Sequence, residues 1–314
     1  MQKPKISVIM LIHNREEYVT QAVESILGQT FTDFEFIIID NASADRSMEI
    51  VNEYARKDSR IRIYQNGNSD IGSGRNMGLD KMRGEFFTFI DDDDYCTNDY
   101  LEFLINLAQA YRADIAICGS SYNIDGEIKP KYAFEELVLC NRKEAVAFFL
   151  LRKYFNNGNA TKLFRKTSEI EQIRYPEGSS YDDIYTMYKF FVAANAVAAR
   201  GEEKYIVRRH LNNNSNATLE HEKITPEWLH DYLKAYRERT NYISQMLPEL
   251  SGLAMWSEWS FMISMVEKIT RLRLSDCYTQ LEYMLAVLKE NCEKFKQAEW
   301  TREFEKEWMK RYVE

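Results

Sequence analysis

Residues 86–94 read Phe-Phe-Thr-Phe-Ile-Asp-Asp-Asp-Asp, an apolar run that breaks directly into four carboxylates. Its first five residues, aromatic and β-branched, have the composition of a buried strand. The carboxylates cannot follow it into a core, because desolvating unpaired charge is very costly. The chain must therefore emerge from the sheet at Asp91. In an open α/β sheet the carboxyl ends of the strands form the edge where ligands bind. Carboxylate oxygens there suit a hard divalent cation, which keeps sites for water and substrate phosphates. An acidic turn has the same composition, so the junction by itself leaves both readings open.

The surrounding pattern says which kind of sheet this is. Ile6 to Ile12 is a near-continuous apolar strand of the doubly buried kind. Glu16 to Leu27 has helical spacing, with Tyr18, Ala22, Val23, Ile26 and Leu27 on one face. Phe34 to Ile39 is a second buried strand ending in Asp40, and Ser43 or Asp45 is positioned to cap a helix through Tyr54. Ile61 to Tyr64 is a short strand, and Gly72-Ser73-Gly74 opens a helix that Gly84 ends. After the strand at Phe86, Tyr100 to Tyr111 is helical and Ile115 to Cys118 is a strand. Such β-α alternation predicts a mainly parallel, Rossmann-like α/β sheet covered by helices on both faces. Farther on, Lys143–Leu151 and Asp183–Ala194 read as helices and Tyr205–Arg208 as a short strand. Asn212 to Asn216 is a polar break. Thr225-Pro226-Glu227 is then a helix start, and the pattern is helical to Glu314. The domains expected are 1–216, with a first half to about residue 120 and a second half from 121, and an all-helical 217–314.

Composition removes several function classes. A net charge of −8 argues against nucleic acid as the partner. Five scattered cysteines without ligand spacing read as reduced thiols of a cytoplasmic protein. The first residues hold too short an apolar run for a signal peptide, and no stretch approaches the roughly 18 apolar residues of a spanning helix.

Several segments then line up in order and spacing. They are Pro4 to Met10 followed by His13-Asn14; Gln29 to Glu35; Ile39 to Asp45; Gly74-Arg75-Asn76-Met77-Gly78-Leu79; and Gly84-Glu85-Phe86 running into Asp91 to Asp94. Together they resemble the family 2 glycosyltransferases of the GT-A fold over about residues 4 to 210. The resemblance implies an inverting, metal-dependent enzyme that uses a nucleotide-sugar donor. It makes Asp91 and Asp93 an Asp-x-Asp pair, with Asp93 the direct ligand of Mn²⁺ or Mg²⁺. Asp92 falls either in the nucleotide site or, like Asp94, in a solvated turn.

By the same resemblance Leu11, His13, Asn14, Asp40, Asn41 and Arg75 face the nucleotide. Where the family usually has a second Asp to read the base, this chain has Asn41, whose amide oxygen still accepts a hydrogen bond. Uridine is the base implied. His13 either packs on the base or is a polar loop residue, and Arg75 pairs with an aspartate or a phosphate. Asp70 stands where the family usually has Gly. The stretch from Tyr175 to Ile184 resembles the acceptor-side loop, which carries the base role to Asp183, with Asp182 the alternate. Both are also placed to cap the following helix. Asn159 and Lys162 are expected to line the acceptor pocket. Arg208 and Arg209, with His210, are expected to face the diphosphate or form a closing lid.

The carboxy-terminal helices lie outside the resemblance. Trp256, Trp259, Phe261, Met262 and Met265 sit at helical spacing, as core, as a homodimer face, or as a membrane-surface face. The acceptor expected is a glycan or a lipid-linked saccharide, met in the cytoplasm or at the inner membrane face, for a surface or cell-wall polymer. The alternatives are a non-catalytic protein that kept the fold, or a nucleotidyltransferase. The latter typically has a Gly-rich amino-terminal loop, and residues 11–14 are not Gly-rich.

Overall fold

The computed structural model describes residues 3–67, 69–155, 157–178, 182–210 and 223–314. Two compact units make up the chain, Met1–His210 and Leu211–Glu314. The polar break at 212–216 lies outside the described residues.

The first unit is built on one sheet. Its strands are β1 (Ile6–Ile12), β2 (Phe34–Asp40), β3 (Ile61–Gln65), β4 (Phe86–Asp91), β5 (Tyr95–Cys96), β6 (Ile115–Ile124), β7 (Glu127–Tyr132), β8 (Leu137–Asn141), β9 (Lys162–Arg165) and β10 (Ala196–Arg209). The order is β3-β2-β1-β4-β9-β6-β10-β5, with β7 beside β6 and β8 beside β10. Pairing is parallel from β3 through β4, and again between β6 and β10. It is antiparallel where β5, β7, β8 and β9 join.

Alternation along the strands assigns the two faces. Ile6, Val8, Met10 and Ile12 share a core with Val19, Ala22, Val23 and Ile26 of α1 (Val19–Leu27) and Leu101, Leu104 and Ile105 of α4 (Tyr100–Ala110). Ile9 points the other way, against α3 (Ile71–Lys81), where a Cβ on Gly78 would sit 2.5 Å from its Cγ2. On that second face Phe87 stacks on Phe164 of β9 and meets Phe190 of α6 (Asp182–Ala193). Helices α2 (Ser47–Lys57) and α5 (Arg142–Leu151) complete the unit.

Five elements differ from the sequence expectation. α3 is capped by Asp70, whose side chain accepts from the Ser73 N–H, one residue ahead of the glycine turn. β10 is 14 residues long where only Tyr205–Arg208 looked like strand. β7, β8 and β9 were not foreseen. β7 and β8 show mostly polar or exposed residues, and β9 is only four residues long.

The second unit is helical among its described residues: α7 (Pro226–Met246), α8 (Ser251–Leu272), α9 (Tyr278–Glu290), α10 (Cys292–Gln297) and α11 (Glu303–Tyr312). Thr225 caps α7 through the Trp228 N–H, with Pro226 at its first position. Trp256, Trp259, Met262 and Met265 are buried in this unit's own core, and the Trp256 indole N–H donates to the Thr301 hydroxyl. Among the described residues no helix is long and apolar enough to cross a membrane.

Candidate active site

Register brings the acidic edge together. Because β1 lies between β2 and β4, Leu11 sits beside both Ile39 and Asp91, and Ile12 sits beside Asp40. The loops that follow are stitched across the same edge. The His13 Nδ1–H donates to the Asn41 carbonyl at 2.7 Å, which leaves Nε2 as the acceptor, 3.2 Å from the Asn14 amide nitrogen. The Asn14 side-chain oxygen accepts from the Ala44 N–H at 2.8 Å, and Asp40 accepts from the Ser43 N–H at 2.9 Å. Ala42 holds φ 60°, a left-handed conformation that a side chain ordinarily avoids and that this loop imposes.

Asn41 is buried and committed to a network. Its side-chain oxygen accepts from Asn66 at 2.8 Å, and its amide donates to the Asp70 carbonyl at 3.2 Å. Gly74 makes room for this, since a Cβ there would stand 2.7 Å from the Asn41 oxygen and 2.9 Å from Leu11.

The four aspartates divide. Asp91 ends β4 with its side chain half exposed, its backbone N–H on the Tyr205 hydroxyl at 3.1 Å. Burial nevertheless raises its pKa against the pull of Arg75 and Lys131. Asp92 and Asp94 are no solvated turn. Asp92 accepts from the His13 N–H at 2.8 Å and lies 3.5 Å from Arg15, while Asp94 accepts from the Arg208 N–H at 2.8 Å. Burial, then repulsion from Asp93, pushes both well above the usual carboxylate range.

Asp93 points to a different set. Its Oδ2 stands 3.0 Å from His210 Nε2 and 3.5 Å from Arg15 Nε, and its carbonyl accepts from Arg208 Nε at 2.9 Å. His210 stacks on Tyr18 with ring centroids 4.5 Å apart. The Asp93 carboxylate and the His210 imidazole, 3.0 Å apart, are donor types that Mn²⁺ accepts, but Asp91, Asp93 and His210 do not form one preformed cluster of ligand atoms.

Arg75 links the two halves of the cleft. Its guanidinium lies 2.6 Å from Asp182 and 4.0 Å from Asp91, flanked by the rings of Phe89 and Tyr175. Burial works against its charge, and the carboxylates of Asp182, Asp91 and Asp183 outweigh burial, so its pKa stays above the ordinary value. Asp182 is raised by burial and held down by Arg75. Asp183 is raised to about 7, by burial first and then by Asp182, and it accepts its own helix's Ile184 N–H at 2.8 Å.

The loop leading to these aspartates is docked on α3. The Asn76 side chain exchanges hydrogen bonds with the Tyr175 backbone at 2.8 and 2.9 Å, and Asp70 accepts from the Gly178 N–H at 2.9 Å. Gly72 permits this, because any Cβ there would overlap the Pro176 carbonyl.

Asn159 and Lys162 do not form pocket surface as expected. Asn159 is buried and accepts from the Tyr175 hydroxyl at 2.7 Å. Lys162 is wholly enclosed at the start of β9, its ammonium donating to the Gly158 carbonyl, and burial lowers it to about 7. Both brace the wall from behind. Arg209 is placed over the Tyr122 ring at 4.4 Å, away from the Asp93 contacts that Arg208 makes. Arg15, Asn66 and Tyr205 belong to the site and had no signal in the sequence beyond being polar residues near motifs, whereas Tyr175, which opens the acceptor-side stretch, carries a role the resemblance did not give it.

The glycosyl transferase family 2 profile matches residues 7–194, and the chain belongs to that family. Glycosyltransferase GlyA of Streptococcus pneumoniae is 28% identical over 257 residues, which cover 77% of this chain. The match spans 35% of GlyA's own length. Among solved structures, Staphylococcus aureus TarS in complex with UDP-GlcNAc superposes with TM-score 0.66 at 19% identity, over 98% of this chain and 92% of that one. The mannosyltransferase PcManGT of Pyrobaculum calidifontis, in complex with GDP-Man and Mn²⁺, gives 0.56 at 12% identity, over 91% and 75%. At such identities the structural likeness establishes the fold, which is GT-A.

Proposed function

We propose that this glycosyltransferase is a metal-dependent, inverting enzyme that moves a sugar from a uridine-diphosphate donor to a hydroxyl of a glycan or lipid-linked acceptor. The product would be a bacterial surface polysaccharide or cell-wall polymer. One observation carries the reading: Arg75 stands between the open carboxylate of Asp91 and the Asp182–Asp183 pair. That joins a phosphate-and-metal edge to a proton acceptor within one cleft. The relatives supply the donor class, since TarS is named a poly(ribitol-phosphate) beta-N-acetylglucosaminyltransferase and was solved with UDP-GlcNAc.

Each residue then has a task. Leu11, His13, Asn14, Asp40 and Asn41 bound the base and ribose. Asp93 and Asp91 would hold the cation, which when bound supplies Lewis-acid neutralisation of the diphosphate. Arg75 places positive charge where the diphosphate gathers negative charge in the transition state. Asp183 takes the proton of the acceptor hydroxyl as its oxygen attacks the anomeric carbon and the carbon–diphosphate bond breaks. A base titrating at about 7 is matched to that work near neutrality. Asp182 holds Arg75 in place. Arg208 ties the end of β10 to the aspartate loop and to Gln21 of α1.

Calorimetric titration of UDP, GDP and TDP in Mn²⁺, in EDTA and with Asp93→Ala tests this reading. UDP should bind with metal, and Asp93→Ala or EDTA should weaken it by about tenfold or more. Preference for GDP would mean that the Asn41–Asn66 pair reads a different base. Binding of none would reduce the chain to a GT-A scaffold.

A further inference from the structure

Tyr175 has no task in the transfer described so far, yet hydrogen bonds to two other parts of the chain fix both its backbone and the far end of its ring. Its N–H donates to the Asn76 side-chain oxygen at 2.8 Å, and its carbonyl accepts from the Asn76 amide at 2.9 Å. Its hydroxyl donates to the Asn159 oxygen at 2.7 Å, and Tyr175 and Asn159 are both buried. Asn76 belongs to α3, and Asn159 to the turn before β9. That turn is tied in its own right, since the enclosed Lys162 ammonium donates to the Gly158 carbonyl. The backbone bonds alone would dock the loop. The hydroxyl bond also sets the direction of the ring.

The ring so aimed meets Arg75. The guanidinium carbon lies 5.5 Å from the centre of the Tyr175 ring and 5.2 Å from that of Phe89. The two ring centres are 5.8 Å apart, with their planes at 84°. Those distances make a nearly equilateral triangle, so the rings form two walls of a corner that the guanidinium closes. Phe89 lies in β4, where the sheet holds it, and Tyr175 is the wall that the loop supplies.

A corner matters for this side chain. Arginine carries its planar head on a long stem with much rotamer freedom. Arg75 has two carboxylates to choose between, Asp182 at 2.6 Å and Asp91 at 4.0 Å. An exact placement needs a rotamer locked by packing and by a further layer of hydrogen bonds. Aromatic rings attract a guanidinium as well as confining it.

We propose that Tyr175 is a positioning residue of the transfer: its ring acts through Arg75, keeping the guanidinium on Asp182 and turned toward the donor diphosphate. The proposal rests on the donor role given to Arg75 above. The loop that leads to Asp182 and Asp183 then also sets a charge of the donor site.

The test reads the Arg75 side chain and the donor affinity in the full chain. In nitrogen–proton NMR spectra the Arg75 Nε–H, assigned by its loss in Arg75→Lys, should be protected from solvent exchange in the natural protein. Tyr175→Leu should speed that exchange by about tenfold or more, as local opening does. Tyr175→Phe, which keeps the ring and both backbone bonds but frees the far end, should fall between the two. Where Tyr175→Leu does not fold, Tyr175→Met gives the same reading, because it fills irregular space without an aromatic face. Calorimetric titration of UDP in Mn²⁺ is the second reading. Arg75→Met should weaken UDP by about tenfold or more, as losing a charged hydrogen bond does. Tyr175→Leu should reproduce most of that loss, and should add nothing in the Arg75→Met protein. A ring that only fills the core would cost the same in both backgrounds. The proposal is overturned by that result, or by equal Arg75 exchange in the natural and Tyr175→Leu proteins. A natural protein that binds no UDP, or an Arg75→Met protein that binds it equally well, refutes the donor reading instead, and the exchange rates by themselves then decide whether Tyr175 holds Arg75.

Discussion

Asp182 and Asp183 are neighbours in the chain with different chemistry. Asp182 is paired at 2.6 Å to a guanidinium, so its oxygen is neutralised and fixed. Asp183 is raised by burial and then by the repulsion of Asp182, against which stand only the more distant charge of Arg75 and one backbone N–H, which leaves it the more basic of the two. With acceptor saturating, Asp183→Asn should lower turnover by about 10²–10⁴-fold, the usual size of a general-base contribution. Donor affinity should remain. Asp182→Asn should instead release Arg75 and weaken the donor site. Turnover of the natural enzyme should fall as pH drops through about 7, as Asp183 takes up a proton. A flat profile from pH 5 to 8 would remove Asp183 from the base role.

At the scale of elements, α3 carries Arg75, Asn76 and the Asp70 cap, and the loop at 175–178 rests on all three levels of it. Gly72→Ala should push that loop off α3 and cost about 1–3 kcal/mol, the range of overpacked positions. Because the loop leads into Asp182 and Asp183, transfer should suffer more than nucleotide binding. Equal stability and equal turnover in the Gly72→Ala protein would show that the loop is not held there. The same elements show what could be read from the chain alone. β1, β2 and β4 are doubly buried, so their apolar runs and the carboxylates ending them were legible. The interior of β10 was not, because Gly201, Glu202, Glu203 and Lys204 interrupt it where its pairing with β6 shifts register. Asp70 looked like a departure from a family glycine, and its meaning as a helix cap appears only once the Ser73 N–H is placed. Lys162 looked like pocket lining because its stretch resembles the family's acceptor side, yet here a backbone carbonyl receives the ammonium inside the wall. Long-range pairs such as Asp93 with His210, 117 residues apart, leave no local pattern.

Across the whole molecule, the cleft concentrates carboxylates that folding makes harder to ionise. Asp91, Asp92, Asp94, Asp182 and Asp183 all titrate above the usual range because burial disfavours their charge. For each, the folded state holds its proton at pH values where the unfolded chain, near 3.9, has lost it. The unfolded state then binds fewer protons, and stability declines as pH rises from about 4 toward the folded values. Carboxylates shifted the other way, such as Glu35 beside Arg62 and Arg83, act below that window, because their stabilisation is complete once pH exceeds the unfolded value. Lys162 acts above it: protonated in both states up to about 7, it favours folding only as pH rises further. Between pH 5 and 7 the cleft carboxylates therefore dominate. In EDTA the melting temperature of the Met1–His210 unit should fall across that interval. The decline should shrink with Asp183→Asn, which removes a group titrating at about 7. Adding Mn²⁺ and UDP should raise the melting temperature most at pH 7, where the most proton-free carboxylate awaits a counter-charge. Scanning calorimetry at pH 5, 6 and 7 decides it. A melting temperature that climbs with pH in EDTA would mean that these carboxylates are already compensated within the fold, and that charge repulsion in the cleft is not what a bound cation relieves.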